Sequence, residues 1–191
     1  MRSLKVLFLG LLVTALFSAS KIHAATPQST TAAQLVQDEK VIYTLPPAGQ
    51  VIPGHPLFMI KQIRDGIEDL ITRDPLQKAK LKLRNADRYI VYSQVLTEHN
   101  MPMRAVESIR TAISYQEDAL AEIIVLFSQQ KDVDEDKKSE SKQLRFVIVQ
   151  SNIKQSEIIR ELLNKLPDGE QEVLLGLLEK SLTIRKQLET L

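Results

Sequence analysis

From residue 56 onward the apolar positions recur at steps of three and four, the mark of helices that bury one face. Ile60, Ile63, Ile67, Leu70 and Ile71 form the first stripe, with Lys61, Arg64, Asp65 and Glu68 opposite. Pro56 suits the first turn of this helix, where its missing N–H is not needed. The helix should stop before Asp74 and Pro75. There Asp74 is placed to cap a second helix, Pro75 to take its first position and Gln77 to close a capping box. The second stripe runs through Leu76, Ala79, Leu83, Ala86 and Ile90 to about Glu98, and Asn100 and Pro102 mark a short turn. A third helix carries Val106, Ile109, Ile113, Leu120, Ile123 and Phe127, a near-heptad seam with Gln116 inside it.

Residues 131–142 (KDVDEDKKSESK) read as a charged, solvated loop. A fourth helix then holds Leu144, Ile148, Ile158, Ile159 and Leu162 and ends near Pro167. Asp168 should cap a fifth, with Gln171 at the reciprocal position and Val173, Leu174, Leu177, Leu178 and Leu188 inside. Residues 146–149 (FVIV) are β-prone alone but sit within a longer helical period, so no strand competes. Short connections between long amphipathic helices favour antiparallel neighbours. The expected fold is all-α, an up-and-down bundle of about five helices in one domain, residues 41–191, with C-terminal helices over 143–191.

The pattern changes upstream. Residues 41–56 (VIYTLPPAGQVIPGHP) hold four prolines and two glycines, which bias the backbone to extended conformations. Val41, Ile42, Tyr43, Leu45, Val51 and Ile52 make this an arm that packs along something rather than a free linker. Residues 25–40, rich in Thr, Ala, Gln and Ser, read as a flexible leader. Residues 1–24 have the layout of a cleavable signal peptide: Arg2 and Lys5, an apolar run over 6–17, then a small and polar end at His23 and Ala24. An uncleaved anchor or a buried core helix is the alternative. Cleavage implies an extracytoplasmic protein, secreted or periplasmic, with no later run long enough to cross a bilayer.

Removing residues 1–24 takes three basic side chains and no acid. The 25 Lys and Arg fall to 22 against 24 Asp and Glu, a net of −2. That balance gives no electrostatic footprint for nucleic acid and little attraction to anionic lipid. The chain has no cysteine, so an exported protein of this size must rely on packing rather than disulfides. Thiol catalysis and zinc–thiolate sites are excluded with it.

One stretch carries a resemblance. Tyr43-x-Leu45-Pro46, then Pro53-x-His55-Pro56-Leu57-Phe58, then Lys61, Asp74-Pro75 and Lys78-Ala79 look like a bacterial extracytoplasmic domain of unknown function, some of whose members are linked to anti-sigma factors. That domain usually has Tyr where Phe58 stands and acidic residues where Leu76 and Gln77 stand. The resemblance covers roughly residues 41–125, with its helices over 56–130. It implies an extracytoplasmic helical module with an extended arm, and no established activity. Tyr43, Leu45, Pro46, His55, Pro56, Leu57, Phe58, Asp74 and Pro75 are its candidate structural or interaction residues.

Chemistry is sparse. Beyond residue 24 only His55 and His99 remain, and no Glu-x-x-His pair exists, so no metal site and no cofactor are expected. His55 reads as a side chain bonding back onto the first helical turn, and His99 as a favourable contact at a helix C-terminus. No Gly-x-Ser-x-Gly elbow appears, and carboxylates alternate with bases, as in Glu107/Arg110 and Glu157/Arg160/Glu161, in the manner of helix-face ion pairs. Gly66 and Gly176 sit singly inside helices as close-packing points. Tyr89, Tyr92 and Tyr115 either line a groove for an apolar or peptide ligand or bury their rings at the bundle edge. The expected function is a non-enzymatic module that binds another protein, or itself, in the cell envelope. A periplasmic stress-type chaperone or sensor and an uncharacterised enzyme are the alternatives.

Overall fold

The computed structural model describes residues 43–129 and 135–191, and within them lie five helices and no strand. They are α1 (Phe58–Ile71), α2 (Pro75–Glu98), α3 (Pro102–Ser128), α4 (Glu135–Leu163) and α5 (Asp168–Thr190). The all-α expectation holds. The signal peptide, the leader, Val41, Ile42 and residues 131–134 of the expected charged loop lie outside the described residues.

Helices α2 to α5 share one core. Ile90, Ile109, Ile113, Ile123, Ile148, Ile159, Leu174 and Leu188 are essentially inaccessible, each on the stripe its sequence spacing marked. The pairs α2/α3 and α4/α5 are joined by short turns, and α2/α4 and α3/α5 complete the ring of neighbours. The α2–α3 turn is well specified. Asn100 takes φ 56°, its N–H reaches the Thr97 carbonyl, and the Met101 N–H reaches the Leu96 carbonyl at 2.9 Å. This is a Schellman ending, with Asn in the left-handed position that Gly more often fills.

Several local expectations are corrected. The charged stretch assigned to a loop is helical from Glu135, so α4 begins well before residue 143. Glu135 and Asp136 stand in its first turn, where acids favour the positive helix end, and Lys138 pairs with Glu135 at 2.8 Å. Asp74 occupies the N-cap of α2 but its side chain makes no capping bond, so no box forms with Gln77; Pro75 does take the first helical position. Asp168 is the first residue of α5 rather than its cap, and Gln171 donates to the Leu166 carbonyl at 2.8 Å instead. Pro56 precedes α1 in a turn, and Val173 is exposed. No atom of another described element lies within 4 Å of a Cβ built on Gly66 or Gly176, so neither is a close-packing point among the described residues.

From Tyr43 the arm lies along the bundle. Leu45 packs on the main core, and Ala48, Val51 and Ile52 cover a second cluster of Phe58, Tyr92, Leu96 and Ala105. Gly54, at φ 101°, turns the chain toward α1 where a Cβ would collide with the Arg104 guanidinium. The His55 Nδ1 accepts the Leu57 N–H at 3.1 Å, which closes that turn.

Candidate functional site

Polar residues at core positions of α2 to α5 meet in one layer. Asp87 of α2 accepts Ser151 Oγ at 2.6 Å and Gln155 Nε2 at 2.7 Å on Oδ1, while the Tyr43 hydroxyl of the arm donates to Oδ2 at 2.5 Å. Gln116 of α3 donates to Gln155 Oε1 at 2.8 Å and accepts from Asn152 Nδ2 at 2.9 Å. Asn152 also donates to the carbonyl and hydroxyl oxygens of Ser181 on α5, each at 3.0 Å. Buried polar groups need such partners, and among these side chains Asn152 Oδ1 alone finds none; the bonds tie α2, α3, α4 and α5 together across the core. The arm is thus hydrogen-bonded into the centre of the bundle.

Asp87 and Tyr43 also line a cleft of about 680 Å³ between the arm, α2 and α4, with Leu83, Leu144 and Val147 on its apolar walls. At its edge Lys80 pairs with Glu140 at 2.6 Å. Both Asp87 oxygens are taken by protein donors, and the Tyr43 proton is committed to Asp87, so this pair ties elements together.

Burial pushes the Asp87 carboxyl above its ordinary value of 3.8, against the pull of its three donors. Burial, reinforced by the Asp87 charge, likewise holds the Tyr43 hydroxyl above its usual range. The folded chain therefore keeps the Asp87 proton longer than the unfolded chain does. That contribution to stability is complete below 3.8 and is lost as the pH rises through the folded value. Asp87→Asn should flatten this decline, so the difference in melting midpoint between the two proteins should change in favour of the variant from pH 3.5 to 7. Parallel midpoint curves would show that the charge at Asp87 carries no net penalty.

Helix α1 is seated differently. Phe58 packs edge-on against Tyr89 and Tyr92, with ring centroids 6.2 and 5.8 Å away, and Tyr89 stands 5.5 Å from Tyr92 and 5.7 Å from Tyr115. Lys61 bonds the Tyr92 hydroxyl and sits 4.6 Å from that ring's centre; burial, then Arg88, lowers its pKa. Farther along, Glu68 pairs with Arg84 at 2.6 Å, and Lys82 bridges Asp69 at 2.8 Å and Asp118 at 3.2 Å. Burial works against the Lys82 ammonium, but the two carboxylates outweigh it and raise its pKa. Acids on α1 thus match bases on α2.

The consequence is an inverted helix. The polar side of α1 faces the protein, and the expected core stripe of Ile60, Ile63, Ile67, Leu70 and Ile71 faces out; with Leu57 and Met59 beside it, these side chains are 53–82% exposed. Only Phe58 of this helix is buried. Seven such side chains withhold on the order of 10 kcal/mol of possible burial. Each exposed ion pair returns only about 0–1 kcal/mol. The side of α2 that seats this helix carries Lys82, Arg84, Tyr89 and Tyr92, which meet Asp69, Glu68 and Phe58. The other exposed large apolar residues, among them Met103, Phe146 and Leu175, are spread over α3, α4 and α5 and the C-terminal residue, which is ordinary for a protein surface.

The residues singled out from sequence therefore divide. Tyr43 joins the buried layer, Leu45 packs on the core, and Pro46 walls the cleft. His55 and Pro56 lie in the exposed turn before α1, and Leu57 opens the outward stripe. Phe58, Tyr89, Tyr92 and Tyr115 form one aromatic cluster, with Tyr92 only 1% exposed, and Tyr89 and Phe58 also line a cleft of about 330 Å³ beside Gln62 and Arg104. Asp74 and Pro75 stand apart at the other end of α1. Among the described residues no three His, Asp or Glu side chains converge as a metal site, and no helix is long and apolar enough to cross a membrane. In comparisons with known proteins, no family model, curated protein or solved structure matches this chain.

Proposed function

We propose that this protein is a non-enzymatic, exported helical module that binds protein in the cell envelope through the outward stripe of α1. The observation that carries the reading is the inverted seating of that helix: Glu68 and Asp69 are paired with α2, and its apolar side chains are displayed together. A contiguous exposed apolar patch of this kind marks an interaction surface, whereas isolated exposed residues do not. The setting rests on the signal-peptide layout of residues 1–24 and on the extracytoplasmic domain that residues 41–125 resemble.

The stripe should be dispensable for folding. Ile63→Asp with Ile67→Asp is expected to keep the melting midpoint within about 2 °C of the parent, as substitutions on open surface do. A photo-reactive residue at position 63, irradiated in the native cell, should give covalent protein adducts in much greater yield than one at the exposed α5 position 175. A strongly destabilised double variant, or equal yields at positions 63 and 175, would overturn the reading.

A further inference from the structure

We infer that the partner on the α1 stripe is a second copy of this chain, an inference that rests on the stripe being a binding face. Ile60, Ile63, Ile67 and Leu70 follow one another at steps of three, four and three, the a/d spacing by which one helix sets its side chains into the gaps of another. These four positions are exposed along the length of α1, so the seam is continuous and unoccupied by any other described element. Gly66 lies at the margin of the seam with no atom of another described element within 4 Å of a built Cβ, which leaves room for a neighbouring backbone to come close.

The area fits a self-contact. The seven exposed side chains of the stripe offer about 100 Å² each, on the order of 700 Å² per copy, close to the roughly 800 Å² per partner of a standard stable interface. A twofold contact uses the same patch on both sides, so an apolar seam is complementary to itself. The charges allow it as well. Glu68 and Asp69 are held inward by Arg84 and Lys82, and Arg64, at the rim, is tied to Asp65 at 2.6 Å. Two copies therefore approach without opposing bare like charges.

A lipid surface fits less well. Helices that lie in a bilayer interface carry Trp, Phe or Leu on the apolar side and an excess of Lys and Arg on the other. This stripe is mostly isoleucine, and the polar side of α1 carries Asp65, Glu68 and Asp69 against Lys61 and Arg64.

The absence of native cysteine makes the test direct. The full chain and its Ile63→Asp/Ile67→Asp variant are compared by sedimentation at tens of micromolar, where residues 1–42 are common to both. Single variants Ile67→Cys and Leu175→Cys of the full chain are then treated with a short bis-maleimide. The parent should sediment as a larger species than the double variant, and Ile67→Cys should cross-link to twice the chain mass about tenfold faster than Leu175→Cys, through the higher effective concentration at an interface. Equal sedimentation of parent and variant, or equal cross-linking at the two cysteines, overturns self-association. In that event, cellular adducts at position 63 whose mass is not twice that of the chain would leave the binding-face reading standing, and their absence would remove both.

Discussion

Asp87→Ala is expected to lower the melting midpoint by on the order of 10 °C. The carboxylate receives donors from the arm and, twice over, from α4, and removing it strands the Tyr43 hydroxyl, the Ser151 hydroxyl and one Gln155 N–H in a buried layer. Each buried group left without its partner costs about 1–3 kcal/mol. Part of this is recovered, because the desolvated charge itself is gone and Gln155 can still donate to Ser151 at 2.9 Å. A net loss of about 3 kcal/mol corresponds to roughly 6–12 °C for a chain of this size. The pairing with Tyr43 is separable by a double-mutant cycle. Tyr43→Phe alone should cost about 1.5–3 kcal/mol, the range for a hydrogen bond to a charged group, and much less once Asp87 is already Ala. Strict additivity of the two substitutions would mean that the arm is held by its apolar residues alone.

That layer was half visible in the sequence. Gln116 stands out as the polar member of the α3 seam, but its partners were not identified, since a periodic pattern names a face and not what it meets. The signal for them was present. Asp87 falls between Leu83 and Ile90 on the buried stripe of α2, and Ser151, Asn152 and Gln155 fall between Ile148 and Ile158 on that of α4. Ser181 takes the same kind of place between Leu178 and Ile184 on α5. Polar residues at core register on three further helices, alongside Gln116 on α3, predict a buried network.

The seating of α1 was not legible at all, and the reason is instructive. Its 3.6-residue period is among the clearest in the chain, and periodicity correctly gave the helix. Turning the stripe toward the core rests on the further premise that the nearest surface is apolar. Here that surface is the side of α2 bearing Lys82, Arg84 and Arg88, residues that sequence reading leaves as an ordinary solvated face. Opposite charges on Glu68 and Asp69 meet it, and the helix lies down with its polar side inward. The misplaced start of α4 has a simpler origin. Alternating acids and bases are as much the composition of an exposed helical face as of a loop, and Lys138 with Glu135 makes the three-residue pair of the former.

The largest effect is expected from the arm. A full-length chain should melt like one beginning at residue 39, because that truncation keeps every described arm contact. A chain beginning at residue 53 should melt at least about 10 °C lower. Three contributions are lost together. Leu45 leaves the main core, and Val51 and Ile52 leave the cluster of Phe58, Tyr92, Leu96 and Ala105, each half-buried side chain contributing about 1–2 kcal/mol. Tyr43 withdraws its hydrogen bond, and the Asp87 carboxylate loses the donor on its Oδ2. Against a total stability of about 5–15 kcal/mol, losses of this size leave a marginal fold. They also bare the Tyr92 and Phe58 rings that seat α1, so hydrogen exchange over residues 58–71 should quicken before that of α3 and α5. Equal midpoints for chains beginning at 39 and 53 would make the arm a tether, and its apolar residues would then belong to a partner's surface rather than to this fold.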